Sequence, residues 1–325
     1  MKDKNYKFVK YTTSNYNEWN NFVDIAKNST FLFHRDFMEY HSDKFEDFSL
    51  LVYRDTRLIG LLPANKDKNT IYSHQGLSYG GFVIDAYLRF KDYLLAFKAI
   101  MVFLEKLEIK KFYFKCMPYI YNTTIGNEIG YVLSKVKAKQ YILDSYYVID
   151  NDKRYKPNRN RQRAINRANR RNLKYTNLNI EDFWTSILIK NLQNRYNVKP
   201  VHALDEIISL KNNFPENIIF YGATFNDKLE AGVVMFITDN VAHFQYSSGT
   251  ENRTENGALD FLFHEIIKLY RHKKYISFGS SSTDKSYKID EGLAYWKESF
   301  GANLITQDSY TILPEQHVNL NTVFK

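Results

Sequence analysis

Apolar positions along the chain switch between two spacings. From residue 15 to 27 they recur at helical intervals and gather Trp19, Phe22, Val23 and Ala26 on one face. A short helix is predicted over 35–43. The spacing then shortens to that of strands over 48–53 and 57–64, on either side of Asp55-Thr56-Arg57. A third strand begins at Ile71 after the polar turn 65–69, which makes an antiparallel meander. Residues 88–108 return to helical spacing, with Leu88, Leu95, Ala99, Val102 and Leu107 as the expected apolar stripe. A strand at FYFKCM, a helical stretch near 122–136 and a strand at 146–150 close the first half.

The second half runs through the same order. Helices are predicted over 158–172, 181–194 and 202–212, then strands over 217–225, 229–237 and 241–247. A helix over 257–271 carries Ala258, Phe261, Leu262, Ile266 and Leu269 on one side. A strand at 275–278, a helix near 290–300 and a strand at 308–313 follow. The two meanders are alike in detail. In LLVYRDTRLIGLLPA and FYGATFNDKLEAGVVMF a strand, a turn with Asp and a Leu precede a Gly at the start of the next strand, so Gly60 and Gly232 correspond. Repetition of a whole element order at a half-chain offset predicts two copies of one fold. Each would be an α+β domain with a mixed, mainly antiparallel central sheet flanked by helices. The boundaries are 1–150 and 151–325, and the length of 325 residues suits two domains.

Composition narrows the partners. The formal charge of +9 favours anions: nucleotide-linked substrates, CoA, RNA or an acidic membrane surface. The excess is concentrated between Lys153 and Lys174, which holds seven Arg, three Lys and no acid. Coiled as a helix, this segment puts Arg159, Arg163, Arg167, Arg170 and Lys174 on one side, opposite Ala164, Ile165 and Ala168. Cys116, the one cysteine, excludes an internal disulfide. The N-terminus lacks the apolar stretch of a signal peptide, and no segment is long and apolar enough to span a bilayer, so a cytoplasmic protein is expected. The eight His show no ligand spacing, and zinc, P-loop and nucleophile-elbow motifs are absent, so no metal is expected. Nothing in the sequence fixes the oligomeric state.

Three segments carry candidate chemistry. The first is the loop Arg253-Thr254-Glu255-Asn256-Gly257-Ala258 between the strand 241–247 and its helix, where bare amides and the helix dipole suit phosphate. It resembles the pyrophosphate loop of the GNAT acyltransferases, Gln/Arg-x-x-Gly-x-Gly/Ala. Arg253, Gly257 and Ala258 match, and Asn256 stands at the first Gly position. The second is Gly292-Leu293-Ala294-Tyr295-Trp296-Lys297-Glu298-Ser299-Phe300-Gly301-Ala302. It is similar to the Phe-Lys-x-x-Phe-Gly signature of Fem-type transferases, with Trp296 in place of the first Phe. The third is Ser73-His74-Gln75-Gly76-Leu77-Ser78-Tyr79-Gly80-Gly81. It resembles a loop of Fem-like proteins from polysaccharide gene clusters, and FLFHRDFMEYH at 31–41 resembles their opening segment.

The resemblance implies an enzyme of the two-domain Fem-like group within the GNAT superfamily, moving an acyl group to an amine. Lys297 would stabilise the transfer intermediate and Tyr246 would protonate the leaving group. Arg253, Asn256, Gly257 and Ala258 would hold the carrier, and His34, Arg35, His74, Tyr79 and Gly80 would contact a small-molecule or nucleotide-linked amine acceptor. The implied donor is acyl-CoA and the acceptor an amino sugar of a surface polysaccharide or cell-wall precursor. Aminoacyl-tRNA is the alternative donor. A non-catalytic nucleic-acid-binding protein built on the same fold stays open as a third reading, and it predicts strongly salt-dependent RNA or DNA binding.

Overall fold

The computed structural model describes residues 5–283 and 288–324. The chain divides into two compact units, Met1–Asp144 with Thr306–Lys325, and Ser145–Ile305. This division differs from the expected one at the C-terminal end, where residues 306–325 join the first unit. The reason is strand pairing and burial: Tyr310, Thr311 and Ile312 pair with Phe114, Tyr113 and Phe112, and Ile312 and Leu320 sit in the first core.

In the first unit, β1 (Tyr6–Lys10), β3 (Leu50–Arg54), β4 (Arg57–Leu62) and β7 (Val83–Ile84) form one antiparallel sheet in the order β1-β3-β4-β7. A second sheet joins β2 (Glu46–Asp47), β5 (Asn65–Asp67), β6 (Thr70–Tyr72) and β8 (Lys111–Lys115), with β6 and β8 parallel. Helices α1 (Tyr16–Ile25), α2 (Arg35–Met38), α3 (Phe90–Lys106) and α4 (Glu128–Lys135) flank the sheets. Helix α3 is apolar around most of its circumference. It buries Tyr93, Leu94, Ala96, Phe97, Ile100, Met101 and Leu104, not the expected stripe: Leu95, Ala99 and Val102 are half-buried, and Leu107 is exposed. When both faces read as apolar, spacing alone does not choose between them.

The second unit contains β9 (Lys139–Asp150, of which Ser145–Asp150 belong here), β10 (Lys174–Asn177), β11 (Ile218–Phe225), β12 (Lys228–Ile237), β13 (Val241–Gly249) and β14 (Tyr275–Ser280). Their order is β10-β11-β12-β13-β14-β9. All neighbours are antiparallel except β13 and β14. The helices are α5 (Arg159–Arg170), α6 (Ile180–Phe183), α7 (Ile189–Tyr196), α8 (Leu204–Asn213), α9 (Arg253–Asn256), α10 (Ala258–Leu269) and α11 (Glu291–Glu298). The basic helix stops short of Lys174 because Asn172, at φ +58°, takes the left-handed turn that ends a helix; Lys174 then begins β10.

The matched glycines have a shared physical cause. A Cβ on Gly60 would lie 2.4 Å from the Phe82 ring, and one on Gly232 would lie 2.3 Å from the Phe183 ring. In each unit an aromatic ring lies flat on the second strand of the meander, and only glycine leaves room for it.

Candidate functional site

The parallel pair β13–β14 of the second unit is short. Val241, Ala242 and His243 pair with Tyr275, Ile276 and Ser277, and there the pairing ends although both strands continue. Each strand is bulged just beyond that point. On β13, Tyr246 faces Val234 and Phe244 faces Met235, so Gln245 is the extra residue. On β14, Ser277 and Ser280 face Val148 and Tyr146, and Gly279 takes φ +71°. Bulges bend strands, and here they open a fork that releases main-chain groups from the ladder.

Lys297 of α11 reaches this fork. Its side chain is 3% exposed, and its ammonium donates to the carbonyls of Gly279 (3.0 Å) and Ser280 (2.6 Å), at the bulge of β14. The Tyr147 ring lies 5.6 Å away. No carboxylate among the described residues is within ion-pair distance. Burial brings the ammonium down to about 7, with Asp290 opposing. The apolar stripe of α11 positions it: Trp296 packs edge-on to Phe263 and Phe300, and its indole N–H donates to Asp260 at 3.0 Å.

Polar side chains line the fork. The Ser277 hydroxyl lies 3.0 Å from His243 Nδ1 and accepts the Gly279 N–H at 3.3 Å. Burial, then the charge of Lys297, lowers His243 to about 4. The Tyr246 hydroxyl lies 2.6 Å from His202 Nδ1 and is pushed up to about 12 by burial. Lys297 and Tyr246, named from the sequence, therefore belong to two separate polar groups, Lys297 with the Gly279 and Ser280 carbonyls and Tyr246 with His202. Ser277 and His202 were missed, because a bulge and a parallel register leave no mark in spacing.

The expected carrier loop is arranged differently. The positive φ falls on Gly257 (+74°), not on Asn256. The Asn256 side chain accepts the Ala258 N–H at 2.9 Å and donates to Glu230 at 2.7 Å. A Cβ on Gly257 would lie 2.4 Å from the Ala164 carbonyl, so α5 packs directly on this loop. Arg161 pairs with Asp260 in the first turn of α10, Arg167 donates to Thr254 O, Arg171 pairs with Glu255, and Arg253 donates to Thr250 O. The outward groups of α5 are Arg159, Arg163 and Arg170.

The expected acceptor contacts are also internal to the first unit. The Tyr79 hydroxyl lies 2.9 Å from the Thr30 hydroxyl, and the residue is buried. Gly80 is required because a Cβ there would lie 1.6 Å from Ser73 O. His34 lies 3.0 Å from Asp24. Arg35 is buried against Tyr11 and donates to Glu39, Asp47 and Ser49. His74, at φ +74°, stacks on buried His41 with ring centroids 5.2 Å apart.

Burial, then the neighbouring His41, lowers His74 to about 3. The unfolded chain therefore takes up this proton first as pH falls. Stability is full above the ordinary His range near 6.5 and declines from there toward 3. Denaturant melts of wild type should weaken across that window. His74→Asn, which tolerates the left-handed backbone and does not titrate, should show a shallower decline; an identical slope would remove His74 as the cause. Cys116 is half-buried, and burial pushes its thiol up to about 12, away from nucleophilic use.

No family profile matches the sequence, and no curated protein matches it. Solved structures do. The chain is similar to FemX at 11% identity and a TM-score of 0.67, over 97% of this chain and 99% of that one. It is similar to a tandem GNAT protein from the clavulanic acid biosynthesis pathway at 8% identity and a TM-score of 0.54, over 95% and 99% of the chains. L-PGS from Bacillus licheniformis matches at 10% identity and a TM-score of 0.53, over 85% and 87%. At these identities the likeness is one of fold, and that fold is the tandem arrangement of the GNAT and Fem-like proteins.

Proposed function

We propose that the chain is an N-acyltransferase whose chemistry takes place at the fork of the second unit. The observation that carries this reading is Lys297, a buried ammonium with two carbonyl acceptors and no carboxylate partner among the described residues, beside main-chain groups released by the end of strand pairing. An acyl carbonyl laid along β13 would have its developing oxyanion stabilised by the Lys297 side chain in its protonated form, in a dry setting where such interactions are strongest. The amine forms the C–N bond, the bond from acyl carbon to carrier breaks, the amine's proton leaves to a base, and the carrier departs with a proton that the Tyr246 hydroxyl can donate. Holding both reactants supplies much of the rate. The acceptor in this reading is an amine of a surface polysaccharide or cell-wall precursor.

The donor divides into two readings. In the first, acyl-CoA, the carrier would lie against the loop that opens α10, where Asn256 caps the Ala258 N–H and the Ala164 backbone packs beside Gly257. In the alternative, aminoacyl-tRNA, the phosphates would meet the outward Arg159, Arg163 and Arg170 of α5. Thermal denaturation with acetyl-CoA and with charged tRNA separates them. The expected result is stabilisation by acetyl-CoA. Stabilisation by charged tRNA that weakens with salt, and none by acetyl-CoA, would favour the alternative. Equal binding of any nucleic acid, with no discharge of the acyl group, would favour the non-catalytic reading.

A further inference from the structure

The first unit contains a cavity of about 70 Å³ that neither the fork chemistry nor the strand packing accounts for. Glycines 80, 81 and 126 bring backbone close to its wall, and its side is formed by Lys27 and Glu128. These two make an ion pair between residues 101 apart in sequence, with side chains 9% and 20% exposed. Desolvating such a pair is costly, and here its bonding capacity is only partly used. Lys27 has three N–H donors, and Glu128 is the one acceptor it meets. The second Glu128 oxygen accepts nothing from the described residues. Gly126 keeps the space beside the pair clear, since a Cβ there would come within 2.8 Å of that oxygen and 3.1 Å of the Lys27 nitrogen.

Tyr93 of α3 supplies an independent observation. It is 2% exposed and lines the same cavity, and its hydroxyl makes no hydrogen bond with the described residues yet is not sealed from solvent, so a group in the cavity can reach it. Helix α3 is otherwise apolar along this face. A tyrosine here, beside an ion pair with spare bonding capacity, adds a third polar group to the cavity wall.

We propose that this cavity is a binding site for a small zwitterion of α-amino-acid size. Its carboxylate would take the spare N–H groups of Lys27 and the Tyr93 hydroxyl, and its ammonium the free oxygen of Glu128. The wall has no net charge, so a ligand carrying both signs is complementary where a lone cation or anion is not. The volume corresponds to a few water molecules, which fits an amino-acid head and excludes a nucleotide or sugar. Half-buried Asn122 and exposed Tyr119 stand among the lining residues nearest solvent, which leaves a route for entry.

The test uses the full chain and free glycine as probe, with acetate, methylamine and acetamide as single-function controls. NMR titration of labelled glycine should show saturable binding below about 10 mM, and the controls should show none. Tyr93→Phe removes only the hydroxyl. It should weaken glycine binding about tenfold while leaving the Tm of the ligand-free protein close to that of wild type. Glu128→Gln should abolish the preference for the zwitterion. Absence of saturable binding, undiminished binding in Tyr93→Phe, or controls that bind as well as glycine would each overturn the proposal. Tyr93→Phe also guards the test against misfolding, since it fills the same volume. Acyl transfer at the fork does not enter any of these measurements, so their failure leaves that reading untouched.

Discussion

Arg35→Met destabilises the first unit by about 1.5–3 kcal/mol, the cost of losing hydrogen bonds to charged groups around a buried guanidinium whose carboxylate partners keep solvent contact. With total stabilities of about 5–15 kcal/mol, that is a sizeable share, and it lowers Tm by roughly 5 °C. The guanidinium is 4% exposed, lies 3.6 Å over the Tyr11 ring and 5.3 Å from Trp19, and donates to Glu39, to Asp47 and, at 3.3 Å, to Ser49. Burial alone would raise the Asp47 carboxyl, but Arg35 and the Ser49 bonds more than offset it and hold the group below its ordinary range. That contribution is present above the ordinary carboxylate pKa and is lost as pH falls through the lowered one. Arg35→Lys should recover only part of the loss, since an ammonium cannot span three acceptors in a plane. Melting curves by circular dichroism read both variants. A wild-type Tm in Arg35→Met, with weakened acceptor binding, would return this residue to the substrate-contact role that its place in FLFHRDFMEYH suggested.

Lys297→Met lowers acyl transfer by about 10²–10³-fold, the usual loss when one preorganised donor to a developing oxyanion is removed. Turnover is followed with whichever donor stabilises the protein. The variant also has a signature that needs no substrate. The folded ammonium titrates at about 7 and the unfolded one near its ordinary value of 10.5. Between those values the unfolded chain holds more protons, so wild-type stability contains a term that rises with pH from 7 to 10.5. Lys297→Met removes that term and flattens the curve. A solvated lysine on α11 would give neither result.

Much of this molecule was legible as pattern. The two meanders, the paired glycines and the helix carrying Trp296, Lys297 and Phe300 all follow from spacing, because strands and amphipathic helices write their period into the chain. The side of α3 that is buried was not legible, since Leu95 and Leu94 look alike until a sheet arrives to cover one of them. The Gly257 loop has the letters of a phosphate site, but its packing against the Ala164 carbonyl, supplied from nearly a hundred residues away in sequence, was not legible. The setting of Lys297 and His243 depends on where parallel pairing stops, and no local property of β13 or β14 encodes that. Arg35, His74 and Tyr79 come from segments that resemble Fem-like ones, and their burial and partners within the first unit depend on contacts that such a resemblance does not carry.

The chain's final strand also bears on the order in which the protein is made. Residues 145–305 are contiguous, so the second unit has all its parts once they have left the ribosome. The first unit, begun far earlier, still lacks the partner that Phe112 and Phe114 pair with, and the Ile312 and Leu320 side chains that seal its core. The half synthesised first must therefore wait, with the edge of β8 open, until the last twenty residues arrive.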